Sequence, residues 1–590
     1  MTVHPLADAP PTGGPTPFEL AAARVADGAD ARAEAEALVD DMTEVEQRWC
    51  LDGDEPFWAG LTEMGQGGYH RRPFPAAQVP RLGVPGFRFS DGPRGVVVGP
   101  ATAFPVSMAR GATWDRDLEE RIGEAIGVEL RAVGATLYGG VCVNVLRHPA
   151  WGRAQETYGE DPHHIGELAA ALTRGVQRHA MACVKHLACN SMENMRFSVD
   201  VSVDPEVLRE VFLPHFRRVV DEGVACVMSA YNAVEGEWCG QHRGLLTDVL
   251  RDEWGFEGFV ISDWIFGLRD AGPSVRAGLD VEMPYRMVRA FGLDDALAAG
   301  ECTVEEVRGC VVRVVATLLR FHAVTSQPRP PRDVLASPAH RALAREASAA
   351  SVVLLRNEPV DGVPVLPLDE EALGSIAVLG PLADRRNLGD GGSSDVWAPE
   401  VVTPLAGLVE ALGADRVVHH PTDPSIAAAA DVALVVVGYT KADEGEFIGG
   451  SGTEHLRSLM PEADEPDVVA AFEASAIDEI VPADAPADPD SEGLGFSKGG
   501  DRASLRLRPD DEALVRAVAA ANPRTIVALV AGSAVVVEGW DHEVPALVQS
   551  WYAGMEGGRA LADVLLGRVP VGGRLPFTVP AAEDHLPPFD

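Results

Sequence analysis

"GFEGFVISDW", Gly255 to Trp264, is the stretch on which the fold turns. Phe259, Val260 and Ile261 are apolar and partly β-branched, as in a strand buried on both faces. With no turn residue between, the run passes into Ser262, Asp263 and Trp264. A carboxylate beside an indole at the end of a buried strand needs a reason, because a charge taken out of water is costly unless it is partnered or used.

The same unit recurs between Phe87 and Pro284. Short apolar runs end in polar residues, and a helical stretch usually follows: "FRFSDGPR", "GVCVNVLR", "MACVKH", "ACVMSAYN", "FVISDW" and "GLDVEMP". Apolar strands alternating with helices indicate a parallel sheet covered on both faces. Polar residues gathered at the C-terminal ends of many such strands are what a (β/α)8 barrel shows around its active site. An open doubly wound sheet also carries ligands at its strand ends, but the number of loaded ends favours the barrel. Residues 1–324 are read as this domain.

"TSQPRPPRD", Thr325 to Asp333, breaks the pattern, and its prolines read as a semi-rigid linker. Across the 325–345 boundary a new helix starts at Ser337 as N-cap and Pro338 at the first helical position. From 346 to 590, "SVVLLRN", "SIAVLGP", "DVALVVVGYT", "RTIVALVAGSAVVV" and "PALVQSW" alternate with Ala-rich helical stretches. They predict a second, layered α/β domain. Residues 447–500 depart from it, being acidic and rich in Ala and Pro with little to bury, and read as an insertion. "GDGGSS", Gly389 to Ser394, lacks the spacing of a dinucleotide loop.

Acidic residues outnumber basic ones by 89 to 49 in the 590-residue chain, a net charge of −40. Such a surface repels phosphate backbones and anionic lipid, so neither nucleic acid nor membrane is an expected partner. Lys185, Lys441 and Lys498 are the only lysines, which singles each out. The eight cysteines form no CxxC pair and suggest neither a disulfide framework nor a zinc site. The N-terminus has no charged segment leading into an apolar one, and no run of 18 apolar residues occurs. A soluble, cytoplasmic protein is expected. The oligomeric state stays open, a homodimer being one option.

The strand ends offer carboxylates (Asp91, Asp263, Glu282), cations (Arg94, Arg153, Lys185, Arg196), His186, Tyr231 and Trp264. No HxH, HExxH or DxDxDG spacing suggests a metal, no GxSxG a serine hydrolase, and no P-loop is present. Neither metal nor cofactor is expected. A mixed-charge pocket with an aromatic wall suits a neutral polyhydroxylated ligand, whose hydroxyls charged groups bind at about 1.5–3 kcal/mol each. For a sugar, the reaction that needs only carboxylates is glycoside hydrolysis, and Asp263 is the best nucleophile candidate.

At these residues the chain resembles glycoside hydrolase family 3, in its β-glucosidase-like branch. The resemblance runs from about Phe87 to Pro580 through "DGPRGV", "NVLRHPAWGRAQETYGEDP", "KHLACNSMENMRFSVDVSVD", "VMSAYNAVEGEWC", "GFEGFVISDW", "AGLDVEMP" and "WYAGMEGGRALADVLLGRVPVGGRLPFTVP". It implies a TIM barrel followed by an α/β sandwich, a sugar pocket where they meet, and a retaining mechanism. By position it implies Asp263 as nucleophile, with Asp91, Arg153, Lys185, His186, Arg196 and Tyr231 gripping the sugar and Trp264 as aromatic wall. The acid/base comes in the family from a second-domain loop near a "GEGY"-like segment leading to "GDR". Here "GYTKADEGEFIGG" makes Glu444 the best match and Glu446 the runner-up, with "GGDRASL" following only after the insertion. Relatives often continue past "RLPFTVP" into a fibronectin-III-like domain; this chain stops at Asp590, and no such domain is expected in it. Glu282 is read as structural, and Glu156, Glu160 and Asp161 as loop-fixing or capping.

Adjacent strand residues point to opposite faces. Lys185 and His186 therefore reach one sugar only if the backbone is irregular at that pair. The expected activity is a retaining exo-β-glucosidase acting on small β-glucosides or oligosaccharides. "KHLACN" and "SDW" favour glucose over xylose, and the absence of a "KHFPGHG"-like loop sets aside N-acetylglucosaminidases. The alternatives are a β-xylosidase or α-arabinofuranosidase of the same family, and a non-catalytic sugar-binding protein.

Overall fold

The computed structural model describes residues 13–65, 67–448, 454–462 and 499–587. "MTVHPLADAPPT" at the N-terminus and most of the insertion, 449–453 and 463–498, lie outside the described residues.

Six strands form the first sheet: β1 (Phe74–Val79), β2 (Val84–Ser90), β3 (Leu137–Cys142), β4 (Met181–Leu187), β5 (Cys226–Ser229) and β6 (Phe259–Ile261). They pair in that spatial order, β1 antiparallel to β2 and the rest parallel. Three single bridges close the ring. Ile261 of β6 pairs with Val281, Glu282 with Asp52, and Gly53 with Ala76 of β1. The stretches around Val281 and Asp52 are thus the seventh and eighth staves of a barrel, joined by Ser262 N–H to the Val281 carbonyl at 3.0 Å and Glu282 N–H to the Leu51 carbonyl at 2.8 Å. Every residue of β3 to β6 is buried. This is why those strands read as continuous apolar runs: a barrel wall faces side chains inside and helices outside.

Glu282 is structural. Its carboxyl caps the helix Val288–Ala299 through the N–H groups of Val288 (3.0 Å) and Arg289 (2.8 Å). Asp161 caps the helix Pro162–Gln177, accepting from His163 and His164.

The second sheet is built of β7 (Val353–Asn357), β8 (Ile376–Leu379), β9 (Val417–His419), β10 (Val432–Gly438), β11 (Thr525–Val530) and β12 (Ala546–Gln549), in the order β7-β12-β11-β10-β8-β9. All neighbours are parallel except β7 against β12. Alternate residues serve two cores. Ile376, Val378, Leu434, Val436 and Ile526 pack with Leu408 and Leu561 on one face. Ala377, Leu379, Val435, Val437 and Val527 pack with Leu514, Val515 and Val518 on the other. Helices on both faces make this the sandwich expected from the sequence. Among the described residues no strand follows Gln549.

The helix Pro338–Ser351 starts as read, with the Ser337 hydroxyl accepting from His340 N–H at 3.3 Å. It ties to both domains, His340 to Glu129 at 2.7 Å and Arg345 to Asp563 at 2.6 Å. Arg94 makes the tighter joint. Its guanidinium is buried, donates to the Leu388 and Asp390 carbonyls and pairs with Asp395 at 3.0 Å. Removing one member of a buried pair costs about 3–5 kcal/mol. Arg94→Met is therefore expected to destabilise the protein by about that amount, read as a lower urea midpoint.

Candidate active site

The C-terminal ends of β2 to β6 and two second-domain segments, around Ser393 and Glu446, enclose a cavity of about 200 Å³. Asp91, Arg153, Lys185, His186, Arg196, Tyr231, Asp263 and Trp264 all line it.

Asp263 stands just past β6. Ser262 anchors the strand end, its hydroxyl accepting from Met283 N–H at 2.9 Å. The chain then turns sharply. Ile265 adopts φ 65°, a conformation costly for a β-branched residue. A side chain at Gly267 would collide with the Asp263 backbone. The turn aims the carboxylate into the cavity. Its Oδ1 accepts from Trp264 N–H at 2.7 Å, and its buried Oδ2 accepts no hydrogen bond from the described residues, lying 3.6 Å from His186 Nε2. Burial pushes the Asp263 carboxyl up to about 6, against the opposing charges of Arg196, Arg153 and Lys185. Trp264 packs on Phe89 and Phe74, with ring centroids 4.5 and 5.0 Å away, and its carbonyl takes the Tyr231 hydroxyl at 2.7 Å.

Lys185 and His186 both line the cavity, and the pairing of β4 with β5 shifts register between Val184 and Leu187, the irregularity expected at this pair; the Lys185–His186 and Leu187–Ala188 peptide bonds are cis. Lys185 Nζ sits 2.5 Å from Asp91 Oδ1, and Tyr69 donates to the other carboxyl oxygen at 3.1 Å. Burial, with Arg153, Lys185 and Arg196 nearby, holds His186 neutral, its pKa well below the ordinary value. Glu156 fixes Arg153 by a fork of 3.0 and 2.7 Å, which is the loop-fixing role read for it.

The two glutamates of "DEGEF" part company. Glu444 does not line the cavity. It is buried in the second domain, where its carboxyl takes the Tyr552 hydroxyl (2.7 Å) and Gly532 N–H (2.8 Å) and pairs with Arg502 at 3.0 Å. Glu446 does line the cavity. It pairs with Arg196 at 2.9 Å, faces Arg153 at 3.6 Å and accepts from Ser393 N–H at 2.6 Å. Of the two, Glu446 is the one placed at the cavity. Burial works against the Glu446 charge, but Arg153 and Arg196 outweigh it and hold the carboxyl well below the usual range.

Sequence reasoning missed Tyr69, Ser393 and Asp390. The Gly-rich "GDGGSS", set aside as a nucleotide loop, carries two of them: Asp390 accepts from the Glu446 N–H at 2.9 Å. Its glycines were the available signal, since a side chain at Gly392 would strike Glu446.

The insertion leaves and returns through a narrow neck. Gly445 and Gly500 exchange backbone hydrogen bonds of 3.2 and 2.7 Å. Asp501 then takes N–H groups of Gly152 (2.8 Å), Glu193 (2.9 Å) and Asn194 (3.0 Å) from the barrel. Among the described residues no group of three or more His, Cys, Asp or Glu side chains is placed to hold a metal ion.

Barrel, sandwich and a cavity of carboxylates set among cations at their junction define a glycoside hydrolase. Residues 75–317 match the glycosyl hydrolase family 3 N-terminal domain and residues 352–590 the family 3 C-terminal domain. The chain belongs to glycosyl hydrolase family 3, on its β-glucosidase-like side. A β-glucosidase of Rhizobium radiobacter is 32% identical to it, over 92% of this chain and 78% of that protein. β-Glucosidase BoGH3A of Bacteroides ovatus is 32% identical over 88% of this chain and 70% of its own length. The structure of β-glucosidase 3B from Thermotoga neapolitana in complex with α-D-glucose superposes with a TM-score of 0.74 at 27% identity, covering 94% of this chain and 76% of that one.

A side chain at Gly152 would collide with the carbonyl oxygens of both Gly445 and Gly500. Gly152→Ala is expected to push the neck off the barrel and carry Glu446 with it. A displacement of about 1 Å costs up to about 10²-fold in catalysis, so kcat/KM on an aryl glycoside should fall by that order while the far-UV circular dichroism stays unchanged.

Proposed function

We propose that the protein is a retaining exo-β-glucosidase that releases terminal β-D-glucosyl residues by double displacement. The observation that carries this reading is the Oδ2 of Asp263: buried, free of hydrogen bonds from the described residues, and facing a cavity ringed by Arg153, Lys185, His186 and Arg196. A carboxylate oxygen left without a donor among so many donors is suited to attack, not to packing.

In the first step Asp263 attacks the anomeric carbon and Glu446 protonates the leaving oxygen; in the second, Glu446 takes a proton from water, which displaces the enzyme from the glucosyl group. The glucosyl hydroxyls are held by Asp91, Lys185, Arg153, His186 and Arg196, with Trp264 against the ring face. While Arg153 and Arg196 face it, Glu446 is a carboxylate, the form the second step needs. Hydroxyls that draw the two guanidiniums to themselves loosen that hold and let Glu446 carry the proton of the first step. The glucose complex of the Thermotoga neapolitana enzyme supports glucose as the sugar.

Asp263→Ala should abolish turnover of aryl β-glucosides, and a 2-deoxy-2-fluoro-β-glucosyl inactivator should label Asp263 in the wild-type protein; label elsewhere would refute the nucleophile. A panel of aryl β-glucoside, β-xyloside and α-arabinofuranoside separates glucosidase from its rivals, and turnover of none of them would leave only sugar binding. Glu446→Ala should cost about 10²–10⁴-fold on poor leaving groups and far less on good ones. Glu444→Gln should instead lower the melting temperature by unpairing Arg502 and leave the leaving-group dependence unchanged. Asp263 must be ionised to attack. With its carboxyl at about 6 in the free enzyme, kcat/KM should fall as pH drops through that value; an acid limb below pH 5 would contradict the burial-driven shift.

A further inference from the structure

The cavity wall holds two chemistries. Its charged groups interlock around Asp263, and Tyr69 and Tyr231 are engaged with Asp91 and the Trp264 carbonyl. Apart from Ser393, bonded to Glu446, the remaining wall is apolar and includes Leu61 and Met64 from the helix Phe57–Gly65, Phe197, Phe266, and Ile448 and Met460. The last two belong to the insertion and not to the frame of either domain.

The described part of the insertion is packed in place. Trp58 Nε1 donates to the Pro461 carbonyl at 3.1 Å, tying the segment to the helix that carries Leu61 and Met64. Leu456 is 2% exposed in a cluster with Phe197 and Tyr231, and Phe266, Phe447 and Leu459 pack against the same cluster. The insertion therefore supplies one wall of the cavity and the barrel supplies the other.

We propose that these six side chains form the subsite for the aglycone, and that it accepts an apolar group, an alkyl chain or an aryl ring, in preference to a second sugar. This rests on the glucosidase reading above and names its substrate class. An apolar aglycone leaves water by lying against Met, Leu, Ile and Phe surface. A second sugar would bring hydroxyls against six side chains that offer them no partners, and unpaired buried polar groups are penalised. Ile448 and Met460 are then specificity-determining residues.

The test compares hexyl β-glucoside, methyl β-glucoside and cellobiose, with β-glucosyl fluoride as a probe that has no aglycone bulk. The two alkyl glucosides expel similar alkoxides, so their ratio reads the subsite and not the leaving group. The kcat/KM for hexyl over methyl β-glucoside should be about tenfold or more, with hexyl β-glucoside also above cellobiose. Met460→Gln and Ile448→Gln should each bring the hexyl-to-methyl ratio down several-fold, and Met460→Leu should restore it. A wild-type ratio near one, a preference for cellobiose, or a ratio unmoved by both Gln variants would overturn the proposal. A chain inert towards β-glucosyl fluoride as well would overturn the glucosidase reading, and the subsite with it.

Discussion

Buried charge at the seam between the domains is the constraint on which the rest depends. Arg153 and Arg196 are almost wholly buried on the barrel, and guanidiniums taken out of water demand carboxylates. Glu156 and Glu193 supply part of that demand from the same domain. The remainder comes from Glu446 across the seam. Pairing in this direction means that the barrel does not merely border the sandwich; it recruits a particular side chain from it. Arg94 and Asp501 make the same kind of bond in opposite senses, one from the barrel to the 388–395 loop, the other from the sandwich to barrel amides. The cavity is what these three joints enclose.

Asp263 gains its character from the same arrangement. Burial alone would drive a carboxyl towards its neutral form, and the cations nearby would drive it towards the charged one. In this cavity burial prevails, and the carboxyl rises to about 6. Glu446 meets the same cations at closer range and falls on the ionised side. Two carboxyl groups in one pocket thus occupy different protonation regimes, set by how closely the guanidiniums approach each.

Much of this was legible in the chain. The strands β3 to β6 announced themselves because a wall buried on both faces has no polar alternation to obscure it. Lys185, His186, Tyr231 and Asp263, at the ends of β4 to β6, line the cavity, whereas Asn144 and Arg147 after β3 do not. What escaped was set by distant partners. The eighth stave, around Asp52, is held by single bridges to Glu282 and Ala76, too short a contact to leave a pattern. The two glutamates of "DEGEF" sit two residues apart and look alike in sequence. What separates them is Arg502 behind one and Arg196, some 250 positions earlier, in front of the other. Ser393 and Asp390 were hidden for the same reason, Ser393 being defined by the Glu446 carboxylate and Asp390 by the Glu446 N–H, not by their own neighbours. The irregular backbone at Lys185 and His186 was readable because strand geometry forbids what their shared destination requires.

The neck at Gly445 and Gly500 has a consequence for how such a chain can change over time. A segment whose two ends are held together by one closed bridge keeps those ends in register whatever its length. Lengthening it adds loop-closure entropy that grows only with the logarithm of its length. Residues can therefore be gained, lost or exchanged beyond the neck while Glu446 keeps its place. No fixed length is required of such a segment, and the pair of glycines is the socket that joins it to the frame.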